Sequence, residues 1–282
     1  MSVIVNGKET AEGFVTVADR GFALGDGLFE TIPLYHGRPF LLEKHMERMK
    51  AGAGIIGIKL PVGQDEVAGA IARLAKVNGA GDLAVARLTV TRGSGPRGYN
   101  AAGCDKPTWT ITVERYEPMP DEKRKLGLRL SISRYAKISG SPLNSVKSTS
   151  ALDRVMTVTE ARSAGADEAI VMSSDGHVAS CGAANIFWVK NGKLYTPSQD
   201  AGALPGVTRW EVIRIAATMG IETVEGRFKL SKIEKADEIF IANSLIGIMP
   251  VREVDGIFAA EKPFTLTQTL AERYMGLARR QA

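Results

Sequence analysis

Residues 168–197 read EAIVMSSDGHVASCGAANIFWVKNGKLYTP. Asp175-Gly176 and Asn191-Gly192 each stand between apolar runs, the signal of tight hairpins, whose central residues need a positive φ that Asn, Asp and Gly adopt at low cost. The stretch therefore reads as successive antiparallel strands. Upstream of it lie a strand from Leu126 to Ser133, a loop through Gly140 and Pro142, and a helix from Thr149 to Ala164. Downstream, a helix opens after Pro205-Gly206, strands follow around Val224, from Ile239 to Ala242 and from Ile248 to Val254, and Leu266, Leu270, Tyr274 and Leu277 mark a terminal helix.

The first half has its own pattern. Val3–Val5 before Asn6-Gly7 and Leu28–Tyr35 before His36-Gly37 repeat the hairpin signal. Leu42, Met46, Met49 and Ala53 recur at helical spacing, as do Val67, Ile71 and Leu74, so two helices cover this first sheet. Strands follow at 83–92 and 109–114. Pro118 and Pro120, among charges, suit neither strand nor helix and place a boundary there. The expected organisation is an N-terminal domain 1–117, a linker 118–125 and a larger C-terminal domain 126–282. Mixed α and β with several hairpins argues against a doubly wound parallel sheet.

The 282 residues, 44% hydrophobic and 24% charged, suit a globular protein able to bury a core without staples. A net charge of +5 is spread along the chain, and Lys123-Arg124-Lys125 is offset by Asp121 and Glu122. No nucleic-acid partner is expected; such a field favours small anions such as phosphates and carboxylates. Cys104, Cys181, His36, His45 and His177 show no CxxC or HxxxH spacing, so no metal site is expected, and a reducing cytoplasmic setting fits. Asn6 to Glu9 interrupt the first apolar run, and about 18 consecutive apolar residues occur nowhere, so neither export nor a membrane span is expected.

Gly25-Asp26-Gly27 lacks the full GxGxxG pattern, and no GxSxG, Walker or HExxH motif occurs. Three features carry chemistry. Pro205-Gly206-Val207-Thr208-Arg209 is a turn feeding a helix, which presents free N–H groups and a hydroxyl to an anion, though such turns also open ordinary helices. Arg92 to Tyr99, RGSGPRGY, is a glycine-rich loop in which Arg97 can fork onto a carboxylate or stand in solvent. Lys147, at the edge of a core, has the chemistry of a Schiff-base nucleophile if desolvated, although most lysines are simply exposed.

These features coincide with a resemblance that covers nearly the whole chain. DRGFALGDGLFET (19–31), EKHMERM (43–49), VKSTSALDRV (146–155), GADEAIVMSSDGHV (165–178), AANIFWVKNGKLYTP (183–197), LPGVTR (204–209) and DEIFIANSLIGIMPV (237–251) resemble the class-IV pyridoxal-5′-phosphate enzymes. These are the branched-chain and D-amino-acid aminotransferases and the 4-amino-4-deoxychorismate lyases. The resemblance implies the two-domain fold type IV, D-amino-acid aminotransferase-like, as a homodimer with pyridoxal 5′-phosphate between the domains. It implies that Lys147 forms the aldimine and then moves protons. It puts Arg48, of the HxxR segment, with Val207, Thr208 and Ser244 on the cofactor phosphate, and Leu204 on the ring face. Arg97 and Tyr99 fall on the substrate side, the arginine for a carboxylate.

RGSGPRGY, CGAANIFW and ANSLIGIMPV look most like the lyases, and Leu152 stands where branched-chain enzymes usually carry tyrosine. Tyr99 stands where D-amino-acid aminotransferases typically have histidine, and Pro33 where relatives usually carry arginine. The largest departure is in GxVxE, whose glutamate pairs with the protonated pyridine nitrogen; Gly176-His177-Val178-Ala179 leads here to Ser180. A hydroxyl can bond that nitrogen but cannot hold its proton by charge. The expected activity is an aminodeoxychorismate lyase giving 4-aminobenzoate and pyruvate from a small amine-bearing carboxylate. The alternatives are an aminotransferase of D- or branched-chain amino acids and a cofactor-binding protein without turnover.

Overall fold

The computed structural model describes residues 1–260 and 263–281; residues 261, 262 and 282 of the expected C-terminal domain lie outside them. The chain divides into two units. The first holds β1 (Val3–Val5), β2 (Lys8–Thr10), α1 (Arg20–Leu24), β3 (Gly27–Tyr35), β4 (Arg38–Pro39), α2 (Leu42–Ile56), α3 (Gln64–Val77), β5 (Leu83–Thr91) and β6 (Thr108–Arg115). Its sheet runs β2-β1-β6-β5-β3-β4, every neighbour antiparallel. Asn6 (φ 48°) with Gly7 (φ 80°) and His36 (φ 48°) with Gly37 (φ 77°) make the two tight turns at the dipeptides read from sequence. Leu28, Ile32 and Leu34 of β3 pack in one core with Met46 and Met49 of α2 and Val67, Ile71 and Leu74 of α3.

Residues 146–151 belong to this first unit, which corrects the expectation that Lys147 sits in the C-terminal domain. The reason is backbone pairing. The Phe29 N–H donates to the Lys147 carbonyl (2.9 Å) and the Thr149 N–H to that of Gly27 (3.0 Å), so the segment lies antiparallel along β3. The helix expected from Thr149 begins later, at Leu152, because the Thr149 and Ser150 hydroxyls donate to the Gly25 carbonyl.

The second unit holds α4 (Asp121–Leu126), β7 (Leu128–Lys137), α5 (Leu152–Ser163), β8 (Glu168–Ser173), β9 (Val178–Cys181), β10 (Asn185–Lys190), β11 (Lys193–Pro197), α6 (Val207–Thr218), β12 (Thr223–Gly226), α7 (Ser231–Glu234), β13 (Glu238–Asn243), β14 (Gly247–Val254), β15 (Phe258–Ala259) and most of α8 (Thr265–Gln281). Its sheet runs β12-β11-β10-β13-β14-β7-β8-β9, with β15 on β14; β11–β12, β14–β7 and β7–β8 are parallel. Side chains of both faces of β10 are buried, with Ile186 and Trp188 in the main cluster and Phe187 stacked on Phe240 at 4.9 Å.

The expected linker 118–125 is largely helical. Asp121 and Glu122 fall in the first turn of α4 and Lys123, Arg124 and Lys125 in its last, the polarity that favours the helix dipole, and Pro120 stands at the N-cap where its missing N–H costs nothing. Among the described residues no helix is long and apolar enough to cross a membrane.

Candidate active site

In the first unit, the strand-like course of 146–149 decides what Lys147 meets. Val146 is fully buried in the core, while Lys147 is half-buried on the other side, its Nζ 4.5 Å from the centre of the Phe29 ring. The guanidinium of Arg87, on β5, lies 3.8 Å from the centre of the same ring. An aromatic face attracts a cation by its quadrupole, so one ring locates both groups. Arg87 is exposed, and the desolvation it meets beside the ring pulls its pKa below its ordinary value. Among the described residues no carboxylate pairs with Arg87, which leaves its donor fork for an anion.

Glu30, also on β3, has a fully buried side chain. Its carboxylate accepts from Arg48 through Nε (2.8 Å) and Nη2 (2.5 Å), and from His45 through Nδ1 (2.6 Å). Burial works to raise the Glu30 pKa, but the Arg48 charge and the two donors outweigh it and hold the carboxyl at about 2. Burial lowers that of His45, against the pull of Glu30, and the Arg48 and Lys147 charges lower it further. Phe29, Glu30 and Arg87 were not singled out in the sequence; for Glu30 and Arg87 the signal available was a charged residue within an apolar strand. Arg97 and Tyr99 are exposed, Tyr99 by 90%, although the Arg20 guanidinium holds the carbonyls of Gly98 (2.8 Å), Tyr99 (3.4 Å) and Asn100 (3.4 Å). The arginine sharing a ring with Lys147 is thus Arg87, not Arg97.

In the second unit, α6 opens at Gly206 with no side-chain cap, so the first-turn N–H groups at Val207 and Thr208 retain the donor capacity an anion uses. Glycine is required there by space, since a Cβ at Gly206 would lie 2.0 Å from Asn185 Oδ1. The same Asn185 donates through Nδ2 to the Leu204 carbonyl (2.9 Å), fixing the turn that presents the half-buried Leu204. Ser244 is half-buried in the turn between β13 and β14, where Asn243 Oδ1 accepts the N–H groups of Leu245 and Ile246 (both 2.9 Å). Ser180, on β9, is 3% exposed and its hydroxyl has no partner among the described residues. Lys137 Nζ donates to the Gly202 carbonyl (3.0 Å); burial, then the Arg154 charge, lower its pKa to about 8 against Asp153 and Cys181.

The amino-transferase class IV family model matches residues 27–254. A Methanocaldococcus jannaschii protein that carries the name of a branched-chain-amino-acid aminotransferase is 36% identical over 279 residues, 97% of this chain and 95% of that one. The aminodeoxychorismate lyase of Bacillus subtilis is 34% identical over 258 residues, 90% of this chain and 87% of that one. Among solved structures, the branched-chain aminotransferase of Thermoproteus uzoniensis superimposes with a TM-score of 0.91 at 29% identity, covering 100% of this chain and 95% of that one.

Proposed function

We propose, from the premise that this chain belongs to the class-IV aminotransferase family and is a pyridoxal-5′-phosphate enzyme, that it cleaves 4-amino-4-deoxychorismate to 4-aminobenzoate and pyruvate. Its residues fit that cofactor. The uncapped first turn of α6 with Thr208 suits a phosphate, the unpartnered hydroxyl of Ser180 a ring nitrogen, and the half-buried amine of Lys147 an aldehyde. When bound, the group supplies a sink for the electron pair left on a substrate carbon by proton loss.

Lys147 then takes the proton from the substrate ring and delivers one later, while Arg87 holds a carboxylate. The observation that carries the choice of lyase is Ser180. A neutral hydroxyl keeps no proton on a pyridine nitrogen by charge, so the sink is weak. Transamination depends on that sink throughout. Loss of pyruvate from a cyclohexadiene is helped by formation of an aromatic ring, and so tolerates the weaker one.

An aminotransferase of branched-chain or D-amino acids is the second reading, favoured by the name of the Methanocaldococcus jannaschii relative. The deciding experiment supplies cofactor-loaded protein with freshly generated aminodeoxychorismate and assays 4-aminobenzoate, with Lys147→Ala alongside. Product from the wild type alone supports the lyase. No product, together with conversion of bound cofactor to its amine form by an amino acid, gives the aminotransferase. Ser180→Glu is expected to raise that amine-forming half-reaction by at least tenfold; an unchanged rate removes Ser180 as the discriminating residue.

A further inference from the structure

The two segments of the second unit assigned to the phosphate meet one residue of a third element. Thr208 Oγ1 lies 3.2 Å from the hydroxyl of Tyr274, on α8, and both residues are 1% exposed. The same tyrosine ring packs on the start of β14. A Cβ at Gly247 would sit 3.6 Å from Tyr274 Cε1, and Gly247, at φ +66°, directly follows the turn that carries Ser244. We propose that Tyr274 is a positioning residue for the phosphate end of the cofactor, fixing the Thr208 hydroxyl and the spacing between α6 and the Ser244 turn. This rests on Val207 and Thr208 being the phosphate cradle.

The chemistry of the contact supports the role. Packing alone would be served by phenylalanine, whereas a buried phenol must find a partner. A threonine hydroxyl has one hydrogen and two lone pairs. When the phenol donates to Thr208 Oγ1, the threonine hydrogen is left for an acceptor at the helix start, and the donation polarises that O–H. Without the phenol, the hydroxyl is free to turn back towards a carbonyl of the preceding turn.

The test titrates apoprotein with pyridoxal 5′-phosphate and, separately, with pyridoxal, following absorbance of the bound aldehyde. Tyr274→Phe is expected to weaken pyridoxal 5′-phosphate roughly tenfold, the size of one hydrogen bond to a charged group, and to leave pyridoxal within about twofold. Thr208→Val with Tyr274→Phe is expected to bind no more weakly than Thr208→Val alone, because the phenol acts through that hydroxyl. Equal weakening of both ligands, no weakening of either, or an additive double variant overturns the proposal. If Tyr274→Phe fails to fold, Tyr274→His, which keeps a ring donor, is expected to retain the preference for the phosphorylated ligand, and losing it overturns the proposal. A wild type that holds both ligands equally overturns the phosphate cradle itself, a distinguishable failure.

Discussion

Glu30 keeps a full charge out of contact with water because Arg48 and His45 surround its carboxylate. Its folded pKa, about 2, is below the ordinary 4.5, so the unfolded chain takes up the proton first as pH falls. The stability it contributes is whole above about 4.5 and gone below about 2. At about 1.4 kcal/mol per unit this amounts to about 3 kcal/mol. His45, also held low, adds a loss that begins as pH falls below 6.5. Urea unfolding from pH 7 to 2 is expected to show this decline, and Glu30→Gln to start less stable and to lack the lower step; an unchanged acid slope refutes the assignment. Lys137 titrates at the other end of the scale. Its folded value, about 8 against 10.5, penalises the folded protein below about pH 8, and the penalty disappears as pH rises towards 10.5. Lys137→Met is expected to gain about 1–2 kcal/mol at pH 7, after losing the bond to Gly202, and nothing by pH 10.5. Neither group was singled out in the sequence, because a side chain's burial depends on residues far along the chain. Lys147, Thr208 and Ser180 drew notice in the sequence because each sits in a local motif.

At the scale of elements, the legible parts are those written in adjacent residues. Asn6-Gly7, His36-Gly37 and Asn191-Gly192 all take positive φ at turns, and Asn191-Gly192 closes the β10–β11 pair. The course of 146–149 along β3 was not legible, since its partners lie over a hundred residues earlier and no local period encodes the register. Nor was α4, where prolines near a charge run hid a helix set up by the order of its charges. The opening of α6 is testable. Gly206→Ala puts a methyl into the Asn185 amide and is expected to cost about 1–3 kcal/mol in thermal or urea unfolding, as overpacked sites do. An alanine variant as stable as the wild type would mean that Asn185 moves freely, and would remove the case that it fixes the Leu204 turn.

Among the described residues each unit has a large hydrophobic core of its own. Ile71 is fully buried in the first, and Ile71→Ala is expected to cost about 2–5 kcal/mol. Hydrogen exchange should then accelerate in β3, β5 and β6 while β10 and β13 keep their protection; equal acceleration in both sheets would show one cooperative unit. The first unit also has a history written into its chain order. On the ribosome, its six-stranded sheet is complete in sequence by Glu117, but the segment Val146–Ala151, which puts Val146 in its core and residues 147–149 along β3, is not yet made. At about 5–20 residues per second, the wait lasts a few seconds. In that interval the nascent unit shows an unpaired strand edge, the kind of surface that chaperones guard and aggregates recruit. The amine of Lys147 arrives with the piece that pairs along that edge, so the ring of Phe29 waits for its second cation until that piece is made.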